Sequence, residues 1–298
     1  MTAIDASNAG GAGNGGNGGN GGNGGNGGNA PASSDTVVLA RPARTGWSPR
    51  RRQLVGSTSV LAVLLLAWQL LPQALGTPSY VVPVLSDVLV ALFDPAAFPR
   101  YLEAAGATMT EVGLGLAIGV GLGLALAITL AQLPTLYGIV FPYIVAIESI
   151  PKVAIAPLFV IWFGFGLSSK VVVVVLLAFF PVLVNTIHGL RSVDRDQVDL
   201  FRVNGATPMQ VRLRLLVPAS LPQIFSGLEL AVAASMIGAI VAEFVGAQKG
   251  LGVLILQAQG RMETPAVFAL LIILSALGIG LNVLVRLLRR LVVTWERH

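Results

Sequence analysis

Ionisable side chains inside long apolar stretches are the residues of this sequence best placed to do chemistry. Glu148, Glu229 and Glu243 each lie within such a stretch. A charged group there is costly, so it either pairs with an opposite charge or serves a polar pathway. Glu148 and Glu243 are therefore candidates for the pathway or gate of a solute. The structural alternatives are an ion pair of Glu148 with Lys152, extension of Glu243 to water, and neutralisation of Glu229 by a neighbouring arginine-rich loop.

Two uncharged features belong with these candidates. Pro151 breaks an apolar helix shortly after Glu148, and the backbone groups that it frees could face a cavity. Asn185 lies one helical turn before His188, so it could line the same pathway. A single asparagine in an apolar helix more often bonds a neighbouring helix. Pro151 and Asn185 therefore join Glu148 and Glu243 as pathway candidates.

The residue inventory disfavours most enzyme chemistry. The chain has no cysteine and two histidines, which excludes disulfides and thiolate metal sites and argues against a histidine-rich metal site. It contains no paired acid and base at catalytic spacing, and no Gly-x-x-x-x-Gly-Lys-Ser/Thr loop to hold phosphates. The sequence thus predicts no catalytic residue, no metal and no cofactor in this chain.

A polar segment, residues 191–222, interrupts the apolar pattern and predicts two short helices. Asp194 and Thr207 each precede a glutamine by three residues, which is the spacing of a capping box at a helix start. Gly205, between them, is suited to the left-handed conformation that ends a helix. Pro218 and Pro222 are expected to close the second helix.

The first of these helices has apolar side chains among charged ones, at Val198, Phe201 and Val203. A short amphipathic helix held off the membrane is suited to lie in a groove of a partner protein. Contact with the lipid surface, stabilised by the arginines of the loop, is an equal alternative from these features alone.

These residues must be positioned by membrane-spanning helices. The 298-residue chain is 54% hydrophobic and only 11% charged, whereas soluble domains are about 25% charged. A span needs about 20 apolar residues, and six candidates are present. The third is expected to break near Pro151. The six are residues 54–71, two within 112–146 separated by a turn at 132–134 with the second reaching about 163, then 171–189, 222–245 and 265–285.

Basic residues predict the orientation of these spans. Fourteen of the 19 lysines and arginines fall before the first span, in the 191–222 segment or after the last span. Because basic residues favour the cytoplasmic side, both termini are expected there. Residues 1–52, rich in glycine and asparagine over 10–29, are predicted to form a disordered tail with a basic end. Residues 53–298 are predicted to form the membrane domain.

The spacing of the polar segment resembles a known signature. Asp199-Leu200-Phe201, three residues, Gly205, nine residues and Leu215-Leu216-Val217-Pro218 are similar to the cytoplasmic signature of ATP-binding cassette importer permeases. That signature runs Glu-Ala-Ala, three residues, Gly, nine residues, Ile, any residue, Leu-Pro. Further stretches resemble the nitrate, sulfonate, taurine and pyrimidine-precursor branch of this family. They are Ile150-Pro151-Lys152-Val153-Ala154, Ala156-Pro157-Leu158, Trp162-Phe163-Gly164-Phe165-Gly166, Ser169-Lys170, Ala242-Glu243 and Gly250-Leu251-Gly252.

The resemblance implies an all-α integral membrane protein with a type I importer core and a cytoplasmic coupling helix. It would work in the bacterial cytoplasmic (inner) membrane as a homodimer. Two cytoplasmic ATP-binding subunits would carry ATP and magnesium, and an extracytoplasmic binding protein would deliver a small anion, a sulfonate or a vitamin-type precursor. Glu243 could then also pair across the dimer or touch the binding protein. The ATPase-coupling residues that it implies are Asp199, Leu200, Phe201, Gly205, Ala206, Thr207 and Pro218.

Two other classes of protein remain as alternatives. An ion-coupled secondary transporter would use Glu148 or Glu229 for coupling, but it leaves the paired helices of the 191–222 segment unexplained, and the internal repeat common in such folds is not apparent. A membrane-embedded enzyme lacks any convergent catalytic group. Dependence on a separate ATPase subunit would discriminate against both.

Overall fold

The computed structural model describes residues 49–295, with side chains from Val55 onward. The chain divides into two units, residues 1–52 and residues 53–298. Of the first unit only residues 49–52 are described, as the start of a helix. The predictions for the rest of the tail lie outside the described residues.

The described part is helical, and no strand occurs between residues 49 and 295. Its elements, in chain order, are α1 (Pro49–Ala74), α2 (Leu85–Leu92), α3 (Phe98–Gln132), α4 (Pro134–Glu148), a 3₁₀ turn (Lys152–Ile155), α5 (Ala156–Phe163), α6 (Leu167–Arg191), α7 (Arg195–Val203), α8 (Pro208–Val211), a π-helix (Arg212–Leu216), α9 (Val217–Gly246), α10 (Leu251–Gly260) and α11 (Thr264–Val292).

The expectation of about six spans is confirmed. Five helical stretches of the described residues are long and apolar enough to cross a membrane, and a bent pair makes a sixth. The pair is α4 with the segment Lys152–Phe163, which turn by 77° at the predicted break. Pro151 lies between them and explains the break. A residue before proline is disfavoured in the α conformation, and proline cannot donate a backbone hydrogen bond.

Helix α6 is the centre of the bundle, with α3 packed along one side and α9 along the other. Gly115, Gly119 and Gly123 of α3 recur every four residues and face Val174, Ala178 and Val182 of α6. A Cβ on Gly119 would lie 2.9 Å from Ala178 Cβ and 3.0 Å from the Val175 carbonyl oxygen. The glycine run of α3 therefore packs closely at these three positions. Gly113 and Gly121, by contrast, have open space beside them.

The contact between α6 and α9 is equally close and uses glycines from both helices. A Cβ on Gly189 of α6 would lie 2.9 Å from Gln223 Cβ, and one on Gly227 of α9 would lie 2.9 Å from the Pro181 carbonyl oxygen. Small residues let helices approach in a membrane, where burial of apolar side chains gives no driving force between them.

Two element boundaries differ from the predictions. Helix α3 begins at Phe98, before the apolar run that starts at Val112, because the two glutamates in between do not end a helix. The prolines after α8 do not close a helix: Pro218 lies in the first turn of α9 and Pro222 lies inside it, so the helical column runs on from Pro208. The short helices α2 and α10 were not predicted from the sequence.

Gly119→Ala should destabilise the bundle, because its methyl group meets Ala178 and the α6 backbone rather than a movable side-chain end. Overpacking of this kind costs about 1–3 kcal/mol. Denaturant unfolding of the purified chain in detergent measures it. Gly121→Ala is the matched control on the same helix, since nothing lies within 4 Å of its added Cβ. Equal stability of the two variants would contradict the close approach of α3 and α6.

Candidate functional site

The 191–222 segment forms the two short helices expected of it. Asp194 caps α7, where its carboxylate accepts a hydrogen bond from the Asp196 backbone N–H at 3.1 Å. The predicted partnership with Gln197 is absent, and the cap is a single bond. Gly205 follows the helix with φ of +77°, the left-handed conformation in which a residue with a Cβ is strained.

A complete capping box starts α8. The Thr207 hydroxyl accepts from the Gln210 backbone N–H at 3.3 Å, and the Thr207 N–H donates to Gln210 Oε1 at 2.8 Å. Pro208 occupies the first turn, where its missing N–H costs nothing. The π-helix follows directly and joins α8 to α9, so the segment is rigidly continuous with a membrane-spanning helix.

Helix α7 has no buried residue. Leu200 and Val203 are 62% and 86% exposed, while Val198 and Phe201 are half-buried. Asp199 makes an exposed ion pair with Arg202 at 3.3 Å. The helix therefore presents apolar and charged side chains that no part of the described chain covers, which is the property of a surface that receives a partner.

The structure places the pathway candidates on the bent segment and on α6 and α9. Glu148 and Pro151 are exposed at the 77° bend. The predicted ion pair of Glu148 with Lys152 is wrong, because Lys152 Nζ donates instead to the Glu148 backbone carbonyl at 3.2 Å and lies 4.5 Å from the centre of the Phe180 ring.

Two other polar residues, Asn185 and Glu229, have partners within the helical bundle. Asn185 Nδ2 donates to the Pro181 carbonyl at 2.8 Å within α6, not to a neighbouring helix, because a short polar side chain reaches the carbonyl one turn before it. Glu229 is neutralised by Arg289 of α11 at 3.9 Å rather than by the arginine-rich loop. His188 is exposed, as expected from its place near the helix end.

Glu243 lies in a buried polar cluster with Thr108, Glu111 and Lys170. Its side chain is 1% exposed, so it does not extend to water. It accepts hydrogen bonds from the Thr108 hydroxyl at 2.6 Å and from the Gly252 backbone N–H. The Thr108 oxygen in turn accepts from the Leu251 N–H at 3.0 Å. The first N–H groups of α10 thus find partners on α3 and α9, and a carboxylate at a helix N-terminus is favoured by the helix dipole.

The glycines before and within α10 make this arrangement possible. Gly250 has φ of +133°, and a Cβ on it would overlap the Glu243 carboxylate. A Cβ on Gly252 would lie 2.9 Å from Glu243 Oε2. The Gly250-Leu251-Gly252 motif therefore lets the backbone approach a buried acid.

Glu111 and Lys170 complete the cluster as a buried ion pair between α3 and α6. Sequence reasoning notes Lys170 only as part of a Ser169-Lys170 motif and places it in an outer loop. It misses Glu111, which lies at the edge of an apolar run. The available signal is the pair Thr108 and Glu111, which lie three residues apart and therefore on one helical face. The second carboxylate oxygen of Glu111 has no hydrogen-bond partner in the described part of the chain.

An exposed ion pair joins Glu103 of α3 to Lys249, just before α10, at 2.7 Å. The hydrogen bond and charge of the Glu103 carboxylate raise the pKa of Lys249. Nowhere in residues 49–295 do three histidine, aspartate or glutamate side chains gather as a metal site would require.

Comparison with known proteins gives this geometry a family context. The model for the family "Binding-protein-dependent transport system inner membrane component" matches residues 119–294. The chain is 35% identical to the formylaminopyrimidine transport permease protein of Halalkalibacterium halodurans, over 83% of this chain and 98% of that protein. It is 37% identical to the riboflavin transport system permease protein of Chloroflexus aurantiacus, over 84% and 96%. It is 29% identical to the taurine transport system permease protein of Escherichia coli, over 83% and 92%.

Glu243→Ala should release the start of α10. Each buried N–H or hydroxyl left without an acceptor costs about 1–3 kcal/mol, so we expect a loss of about 2 kcal/mol or more. Hydrogen exchange should rise across Leu251–Gly260 in particular. Glu103→Ala, on the same face of the molecule but in an exposed pair, should leave both the melting temperature and this exchange unchanged. Unaltered exchange in Glu243→Ala would show that the carboxylate does not hold α10.

Lys170→Met should be more harmful than replacing both partners of the buried pair. Removing one partner leaves an uncompensated buried charge, which costs about 3–5 kcal/mol, whereas an apolar pair of similar volume is often tolerated. Lys170→Met combined with Glu111→Leu should therefore recover part of the stability lost by Lys170→Met. A double-mutant cycle of unfolding free energies measures the coupling, and strictly additive losses would contradict the pairing.

Proposed function

The chain belongs to the family of binding-protein-dependent transport system inner membrane components, and from that premise we propose how its parts serve transport. It is the membrane-spanning permease subunit of an ATP-binding cassette importer. Subunits of this kind are components of a transporter and not enzymes. The ATPase, the other partners and the solute would each use a different surface of the subunit.

We propose that α7 and the turn after it receive the ATP-binding subunit. The observation that carries this assignment is that α7 buries none of its residues while it exposes Leu200 and Val203. The coupling residues are Asp199, Leu200, Phe201, Gly205, Ala206, Thr207 and Pro218. Because the turn is fixed by Gly205 and the capping box at Thr207, a displacement of the seated helix is carried into α9 and not lost in a flexible loop.

The remaining partners follow from the importer architecture. Two ATP-binding subunits would bind ATP and magnesium, since this chain has no phosphate-binding loop in its sequence. A second copy of the permease would complete the solute pathway, and an extracytoplasmic binding protein would deliver the solute. Both termini would face the cytoplasm of a bacterial cell, in its inner membrane, because fourteen of the 19 basic residues then lie on that side.

We propose that the solute is a small anion, a sulfonate or a vitamin-type precursor. Relatives that align over almost their full length are named for formylaminopyrimidine, riboflavin and taurine transport. The first two share 35% and 37% identity with this chain and the third 29%. Glu148, Pro151 and Asn185 remain the candidates for the pathway, whereas Glu243 is committed to the buried polar cluster in this conformation.

Phe201→Asp and Gly205→Pro should each block uptake while leaving the protein inserted. The first places a charge on the apolar side of α7. In the second variant the proline cannot adopt the positive φ of Gly205, because its φ is locked near −65°. A steric clash does not contribute, because nothing lies within 4 Å of a Cβ added at Gly205. The measurements are co-purification of the ATP-binding subunit in mild detergent and its ATPase activity.

Met262→Asp is the control, because Met262 is 73% exposed in the turn between α10 and α11, away from α7. It should retain the ATP-binding subunit fully. Normal uptake by the Phe201 and Gly205 variants, or transport in vesicles without any ATPase, would mean that α7 is not the coupling contact.

A further inference from the structure

A cavity of about 290 Å³ lies between the 191–222 segment and the ends of the spans beside it. Its wall is mostly apolar and includes Ile128 and Ala131 of α3, Val198 of α7 and Leu216 of the π-helix. Ile128 is 43% exposed, so the cavity is open to the surface beside α3. Its volume is near the lower end of ligand pockets, which span about 300–1,000 Å³.

Two arginines, Arg202 and Arg212, also line this cavity. Arg202 is already paired with Asp199. The side chain of Arg212 is exposed, and within residues 49–295 its guanidinium makes no ion pair. The unpaired guanidinium of Arg212 beside an apolar cavity is suited to a ligand that carries both a negative charge and apolar surface.

The π-helix carries this cation. Its first and last residues, Arg212 and Leu216, both line the cavity wall. Arg214, two residues after Arg212, does not line the cavity. π-Helical turns inside α-helical columns are rare and occur frequently at functional sites, and no contact of the proposed ATPase surface requires this one.

We propose that the cavity binds an anionic phospholipid, with its phosphate on Arg212 and the start of an acyl chain against Ile128 and Leu216. Only the placement of the 191–222 segment on the cytoplasmic side of the membrane rests on the proposed function. Basic pockets between helices on that side suit anionic headgroups. A lipid here would lie between α7 and the bundle, and it would set how firmly α7 is held for its partner.

The test is lipid retention by the purified full-length permease in nanodiscs that contain equal amounts of phosphatidylglycerol and phosphatidylcholine. Native mass spectrometry after release counts the lipids that stay bound. Wild-type protein should keep phosphatidylglycerol selectively. Arg212→Gln should reduce that selectivity about five-fold, the effect of one arginine near an anionic headgroup. Arg214→Gln, which removes a charge from the same π-helix outside the cavity, should have no effect.

A second variant tests the cavity itself. Ala131→Phe fills it and leaves both arginines in place, so it should also abolish the selectivity; it decides the matter if Arg212→Gln fails to fold. Equal loss in Arg212→Gln and Arg214→Gln, or full retention in Ala131→Phe, would overturn the proposal. If soluble glycerol phosphate displaced phosphatidylglycerol as effectively as added phosphatidylglycerol does, the site would be assigned to a free phosphate instead. Retention of the ATP-binding subunit, measured in the same preparations, reports separately on the role of α7.

Discussion

Lipid surrounds apolar side chains as favourably as a neighbouring helix does. The helices of this chain therefore associate through close van der Waals packing of complementary surfaces. That packing comes from the glycines where α3 and α9 meet α6. Gly119 and Gly227 leave no room for a methyl group, and they bring three backbones into direct contact. The other helices depend on this centre: α10 and α11 pack on α9, and α2 packs on α11. Helix α1 contacts the rest of the chain through Trp68. The Trp68 Nε1–H donates to the Pro83 carbonyl at 3.1 Å, and the Trp68 ring lies 5.7 Å from the Phe268 ring.

The close centre also explains how the bundle tolerates charges in its interior. Glu111 and Lys170 neutralise each other across the α3–α6 contact, while Glu243 satisfies the start of α10. Helix α10 has ten residues, about 15 Å of helix, and so cannot cross a membrane alone. It needs acceptors for its first N–H groups, and the bundle supplies them from Thr108 and Glu243. The buried polar cluster thereby satisfies the start of a short helix that is packed against the bundle.

Most of the spans and the 191–222 segment could be predicted from the sequence, because each rests on local rules. Apolar length sets the spans, Pro151 sets the bend, and Thr207 with Gln210 sets the start of α8. The buried polar cluster could not be predicted in this way. Glu111 and Lys170 are 59 positions apart, and their pairing exists only once Gly115 has let α3 and α6 approach. Pro222 misled for a related reason, since a proline inside a helix is tolerated where the surrounding helices satisfy the freed carbonyl.

The helical column from Pro208 to Gly246 has 39 residues, or roughly 58 Å, against about 30 Å of hydrocarbon. Its tightest contact with α6 is at Gly227, about 28 Å from one end and about 24 Å from Glu243. The two arms of the column on either side of that contact are nearly equal in length. A rigid column pivoting there moves its ends by similar distances in opposite senses. Under the proposed function, a pivot at this contact would couple closure at the α7 end to an opening of similar size at the α10 end.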